Sequence, residues 1–93
     1  MSVRITHIRL SSNYYKDHEH ITDFKWVGYE DGGIGQSDKA AMVKWIDDGG
    51  KAYVESASTK VTVGVVKPSN GGPYLRTYAN GIWTDNLLSL PTF

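Results

Sequence analysis

The stretch Pro73–Phe93, PYLRTYANGIWTDNLLSLPTF, decides how this chain folds. Asn80-Gly81 stands between a Tyr-rich flank and a Trp-containing flank, and a type I′ turn needs positive φ at both of its central residues. The stretch therefore reads as a β-hairpin followed by an apolar tail. Counting outward from the turn sets Ala79 opposite Ile82, Tyr78 opposite Trp83, Thr77 opposite Thr84 and Arg76 opposite Asp85. One face then carries Leu75, Thr77, Ala79, Ile82 and Thr84, and the other carries Tyr74, Arg76, Tyr78, Trp83 and Asp85. On the second face an arginine lies between two tyrosines, beside a tryptophan and across from a carboxylate. The simpler reading is that Arg76 and Asp85 satisfy one another while the rings act as cross-strand stabilisers. The alternative is a binding surface, because a guanidinium stacked on aromatic rings can grip a planar or anionic partner.

Working outward, Val3–Leu10 and Ile21–Tyr29 read as two strands of a loose hairpin, joined by the polar loop Ser11–His20. Alternation in the first strand is imperfect. It sets Arg4, Thr6, Ile8 and Leu10 against Val3, Ile5, His7 and Arg9. Glu30–Gln36 is glycine-rich and reads as a loop that delivers the chain to a helix capped by Ser37 and running to about Asp48. Met42, Val43, Trp45 and Ile46 fall within one arc of that helix, and Gly49-Gly50 supplies a left-handed stop. Lys51–Glu55 and Thr59–Val66 follow as strands, joined by Ser56, Ala57 and Ser58; Gly64 marks a bulge or a close backbone approach. These elements predict an α+β fold: one amphipathic helix packed on a curved antiparallel sheet of five or six strands, in the order ββαββββ. A helix of about twelve residues is only about 18 Å long. It does not cover such a sheet, so Leu87, Leu88, Leu90 and Phe93 are expected to lie as a lid over what it leaves bare.

Length and charge narrow the functional classes. The 93 residues make one small globular domain, 1–93, which buries only about 60 to 65% of its unfolded surface. Ten basic and ten acidic side chains cancel, so the chain lacks the field that draws proteins to duplex nucleic acid. The absence of cysteine excludes a disulfide framework and thiolate zinc sites, and fits a cytoplasmic location. MSVRITHIRL is neither a secretory signal nor a membrane span, and no membrane partner is expected.

Three further signals carry chemistry. In Asp17-His18-Glu19-His20, an extended backbone would point His18 and His20 the same way as two metal ligands. The remaining histidine, His7, is placed opposite about Phe24, roughly 13 Å along the strand from His20, and does not join them. Gly33-Ile34-Gly35 ahead of a helix has the look of a phosphate loop but lacks the following Lys-Ser/Thr, and Asp38 stands where an anion would approach. No spacing places a nucleophile beside a base and an orienting carboxylate, so no catalytic residue is assigned and no cofactor is expected.

Several blocks together resemble one known family. They are ITHIRL at Ile5–Leu10, HEHIT at His18–Thr22, the Trp26 strand, MVKWIDDGGKAYV at Met42–Val54, VGVV at Val63–Val66 and PYLRTYANGIWTDNLLSLP at Pro73–Pro91. In these the chain is similar to the prokaryotic and phage domain-of-unknown-function 3892 family. That resemblance implies a self-contained small domain and carries no activity, ligand or catalytic residue with it. The resulting expectation is a non-catalytic binding or protein-interaction module, with a protein or peptide partner or a second copy of itself. One alternative is a single-stranded nucleic-acid module using Tyr74, Arg76, Tyr78 and Trp83 as a stacking platform. A second is a metal-dependent hydrolase centred on His18 and His20.

Overall fold

A computed structural model describes residues 2–11, 18–55, 59–79 and 81–93. Residues 12–17 of the first loop, the connection Ser56–Ser58 and Asn80 of the final turn lie outside the described residues. The elements are β1 (Ser2–Leu10), a single 3₁₀ turn (His18–His20), β2 (Ile21–Gly28), β3 (Ile34–Asp38), α1 (Lys39–Asp47), β4 (Lys51–Glu55), β5 (Lys60–Val66), β6 (Tyr74–Ala79) and β7 (Ile82–Thr84). The fold is α+β, with one short helix and a seven-stranded sheet in the spatial order β3-β2-β1-β4-β5-β6-β7. The sheet is mixed: β1 and β4 run parallel and every other neighbouring pair is antiparallel.

This corrects the expected order ββαββββ to βββαββββ, because the glycine-rich segment before the helix contains an edge strand. In β3 only Gly35 and Ser37 face inward, against Trp26 and Phe24 of β2, so no apolar periodicity betrays it. The helix consequently begins one residue later than expected. Asp38 is its N-cap and accepts from the Ala41 amide at 2.8 Å, whereas the Ser37 hydroxyl accepts from Trp26 Nε1 at 3.1 Å. At the other end the Gly50 amide donates to the Trp45 carbonyl and the Gly49 amide to that of Ile46, a Schellman stop made possible by φ +107° at Gly49.

Imperfect alternation in β1 has a structural cause. A register shift between Ile5 and His7 resets the parity, so Val3, Ile5 and Ile8 all face the core. His7 therefore lies opposite Lys25 rather than Phe24, which instead pairs with Ile8. The core joins these residues to Ile21 and Phe24 of β2, Met42 and Val43 of α1, Ala52 and Val54 of β4, Val63 of β5 and Leu75 of β6. All lie on the face that α1 covers. Leu87 completes the core and is fully buried, with Leu88 and Leu90 packed beside it. The tail is thus the expected lid, with one exception: Phe93 turns to the opposite face, where the Arg9 guanidinium stands 4.5 Å and Lys25 Nζ 4.8 Å from its ring centre.

The tail also closes the sheet. Strand β4 pairs only with Ser2–Arg4 of β1, leaving the far half of that edge open. Thr92 fills it with a parallel bridge to Ile8, the Ile8 amide donating to the Pro91 carbonyl and the Phe93 amide to the Ile8 carbonyl, each at 3.0 Å. No helix among the described residues is long and apolar enough to cross a membrane.

Candidate functional site

The β6-β7 hairpin has the register that its turn dictates: Ala79 opposes Ile82, Tyr78 opposes Trp83 and Thr77 opposes Thr84. Gly81 has the positive φ, +81°, that the turn requires. The inward Thr77 is fully buried, and its hydroxyl lies 2.6 Å from that of Thr84, which in turn donates to Asn86 Oδ1 at 2.7 Å. On the outward side Tyr78 and Trp83 meet edge to face, ring centres 4.9 Å apart, and remain 42% and 40% exposed. Arg76 Nη2 donates to Asp85 Oδ1 at 2.9 Å, and its Nε donates to the Thr84 carbonyl at 3.1 Å. The Asp85 carboxylate also stands 3.9 Å from Nε2 of the buried His18. Arg76 is thereby tied into the hairpin, while Tyr74 sits half-buried opposite Val66 of β5. Of the five residues singled out from the sequence, Tyr78 and Trp83 present rings to solvent, and Arg76 and Asp85 hold the strand ends together.

Strand order extends this face in a way the hairpin alone does not show. Following the register from β3 to β7, Ile34, Val27, Arg4, Tyr53, Thr62, Tyr78 and Trp83 form one continuous cross-strand row. It lies on the face that α1 leaves open. At its middle Tyr29 and Tyr53 meet edge to face at 5.9 Å, Lys60 Nζ stands 4.3 Å from both ring centres, and Arg4 Nε lies 3.4 Å from Glu55. Burial, followed by the neighbouring Glu55 carboxylate, raises the Tyr29 phenol above its ordinary pKa. The sequence reading did not select Arg4, Tyr29, Tyr53 or Lys60. Their strands were visible, but only the parallel pairing of β1 with β4 brings Arg4 and Tyr29 beside Tyr53 and Lys60.

His18 and His20 do not share an extended backbone. They occupy the 3₁₀ turn, where residues two apart are about 240° apart around the axis, so the geometric premise of a histidine pair fails. His18 is buried, and no cluster of three or more His, Cys, Asp or Glu suited to a metal occurs among the described residues. The Gly33–Gly35 segment likewise does not form a phosphate loop, since Ile34 and Gly35 belong to β3.

A concavity lies on the helix side, between α1 and β2–β3. Its volume is about 280 Å³, and it is lined by Val3, Trp26, Ser37, Ala41, Met42 and Trp45. The wall is mainly hydrocarbon and indole, with the Trp26–Ser37 hydrogen bond as its polar feature. Nothing in the pattern of apolar residues marks this pocket, because it exists only where Trp26 crosses onto β3.

No curated protein and no solved structure matches the chain. Residues 4–91 match a family described as a protein of unknown function, and the chain therefore belongs to the DUF3892 family.

Proposed function

We propose that this protein is a non-catalytic binding module whose working surface is the open face of its sheet. The observation that carries this reading is the in-register row Arg4–Tyr53–Thr62–Tyr78–Trp83, in which three aromatic rings and a cation share a face that no helix or strand among the described residues covers. Rings directed at the core serve its packing, whereas rings on this face stabilise the sheet only through cross-strand contacts. Here the core is already filled from the other side by α1 and the Leu87–Leu90 segment. Tyr and Trp on a solvent-facing surface supply large contact area at low conformational cost, which is the chemistry of recognition.

The reading separates from a structural role by a double substitution, Tyr78→Ser with Trp83→Ser. It is expected to retain the circular dichroism spectrum and cooperative unfolding of the parent while abolishing retention of whatever material co-purifies with the parent from host cells. Loss of the folded state in the double variant, or unchanged retention, counts against it.

A further inference from the structure

The distribution of charge says what class of partner the open face is made for. The chain as a whole is neutral, but its charges are not evenly spread. Register and alternation place Arg4, Arg9, Lys25, Lys51, Lys60 and Arg76 on the open face with the carboxylates Asp23, Glu55 and Asp85; Asp38 is in register with Asp23, and the Glu30 carboxylate is bonded to Ser2 beside Lys51. Arg4 lies on Glu55 and Arg76 on Asp85, and Arg9 is in register with Asp23. Lys25, and Lys60 in register with Glu55, have a further setting: each ammonium stands over aromatic rings, Lys25 over Phe93 and Lys60 over Tyr29 and Tyr53. Arg9, Lys25 and Lys60 are therefore coupled to π surfaces on this face.

We propose that this face takes single-stranded nucleic acid, bases stacking on the rings and phosphates meeting the lysines; the proposal rests on the reading of the open face as the working surface. Two aromatic stations share the row. Tyr29 and Tyr53 stand with Lys60, and Tyr78 and Trp83 stand edge to face on the strand face that also carries Arg76. They are two strand positions apart, about 10 Å at about 4.8 Å per strand. The third, Phe93 with Arg9 and Lys25, lies off the row toward the other end of β1. Rings and cations interspersed on one face match a polymer that alternates flat bases with phosphates. Duplexes hide their base faces and demand a wider positive field than a neutral chain generates. An acidic protein segment would meet the lysines but leave the rings without a stacking partner.

The test is fluorescence anisotropy of the intact protein with labelled oligo(dT) and oligo(U) of about twelve nucleotides at low salt, with poly-glutamate as the rival anion. Binding is expected for both oligonucleotides, weakening linearly with the logarithm of salt concentration. Lys60→Gln and Trp83→Leu are each expected to lower affinity by roughly tenfold while leaving the unfolding midpoint near that of the parent. Absence of binding at about 100 μM protein, or binding that both variants preserve, overturns the proposal. Poly-glutamate bound in a Lys60-dependent, Trp83-independent manner also overturns it, yet leaves the open face standing as a binding surface. The double substitution at Tyr78 and Trp83 decides that wider reading separately.

Discussion

At Gly35 there is no room for a side chain, since a Cβ there would stand 2.1 Å from the Trp26 indole. The chain has three tryptophans, and each covers a glycine: Trp45 lies over Gly50, where a Cβ would approach to 2.3 Å, and Trp83 reaches across β6 to Gly64, at 3.2 Å. Glycine here serves as a seat for a ring. Gly35→Ala is expected to cost about 1–3 kcal/mol by overpacking, measured by urea denaturation. Gly72→Ala, with nothing within 4 Å of its Cβ, is expected to be neutral or slightly stabilising. The sequence marked Gly64 as a bulge or a close backbone approach, where the structure has an indole ring and unbroken register, and it hid Gly35 inside what looked like flexible punctuation, because the partner of each glycine is set by strand pairing. Tyr29 gives a second residue-scale expectation. Its folded-state pKa is raised, so the folded protein holds the phenolic proton more tightly than the unfolded chain. The associated stability is present below the unfolded value of about 10 and is lost as pH rises through the folded value. Tyr29→Phe removes that titration, and its stability is expected to fall less steeply than the parent's above about pH 10 in denaturation series.

Among the elements, those that carry their own apolar rhythm were legible and those defined by a neighbour were not. The final hairpin announced its turn, its register and its two faces through Asn80-Gly81, and α1 announced its buried arc through Met42 and Val43. Strand β3 has neither signal: its inward positions are the small residues Gly35 and Ser37, and its outward Ile34 is 82% exposed. Misreading β3 moved the helix start, because Ser37 and Asp38 are both good caps and only pairing with β2 commits Ser37 to the strand. Of the candidate site, the hairpin half was readable and the Tyr29–Tyr53–Lys60 half was not, since parallel pairing of β1 with β4 leaves no local mark. The tail was readable as a lid from its leucines. Leu87 is fully buried, so Leu87→Ala is expected to lose about 2–5 kcal/mol in chemical denaturation, and Leu88→Ala, only half-buried, distinctly less.

Over the whole molecule the sheet order converts a neutral composition into two unlike sides, one filled by α1 and the leucine tail, the other lined with rings and cations. That organisation depends on β1, which holds β2 on one edge and shares its other edge between β4 and Thr92. Among the described residues β1 is the earliest strand to be synthesised, and its last partner is Thr92. On the ribosome, therefore, β1 waits with half an edge uncovered until Thr92 has been made, and closure of this sheet comes late relative to the synthesis of its strands. Nascent chains arrested before Thr92 clears the exit tunnel are expected to remain protease-sensitive, and those arrested after it to become resistant. For a domain built this way the period of greatest exposure to proteases and to mispairing runs from the emergence of β1 to that of Thr92, so its survival in the cell is set by elongation speed as much as by the stability of the finished fold.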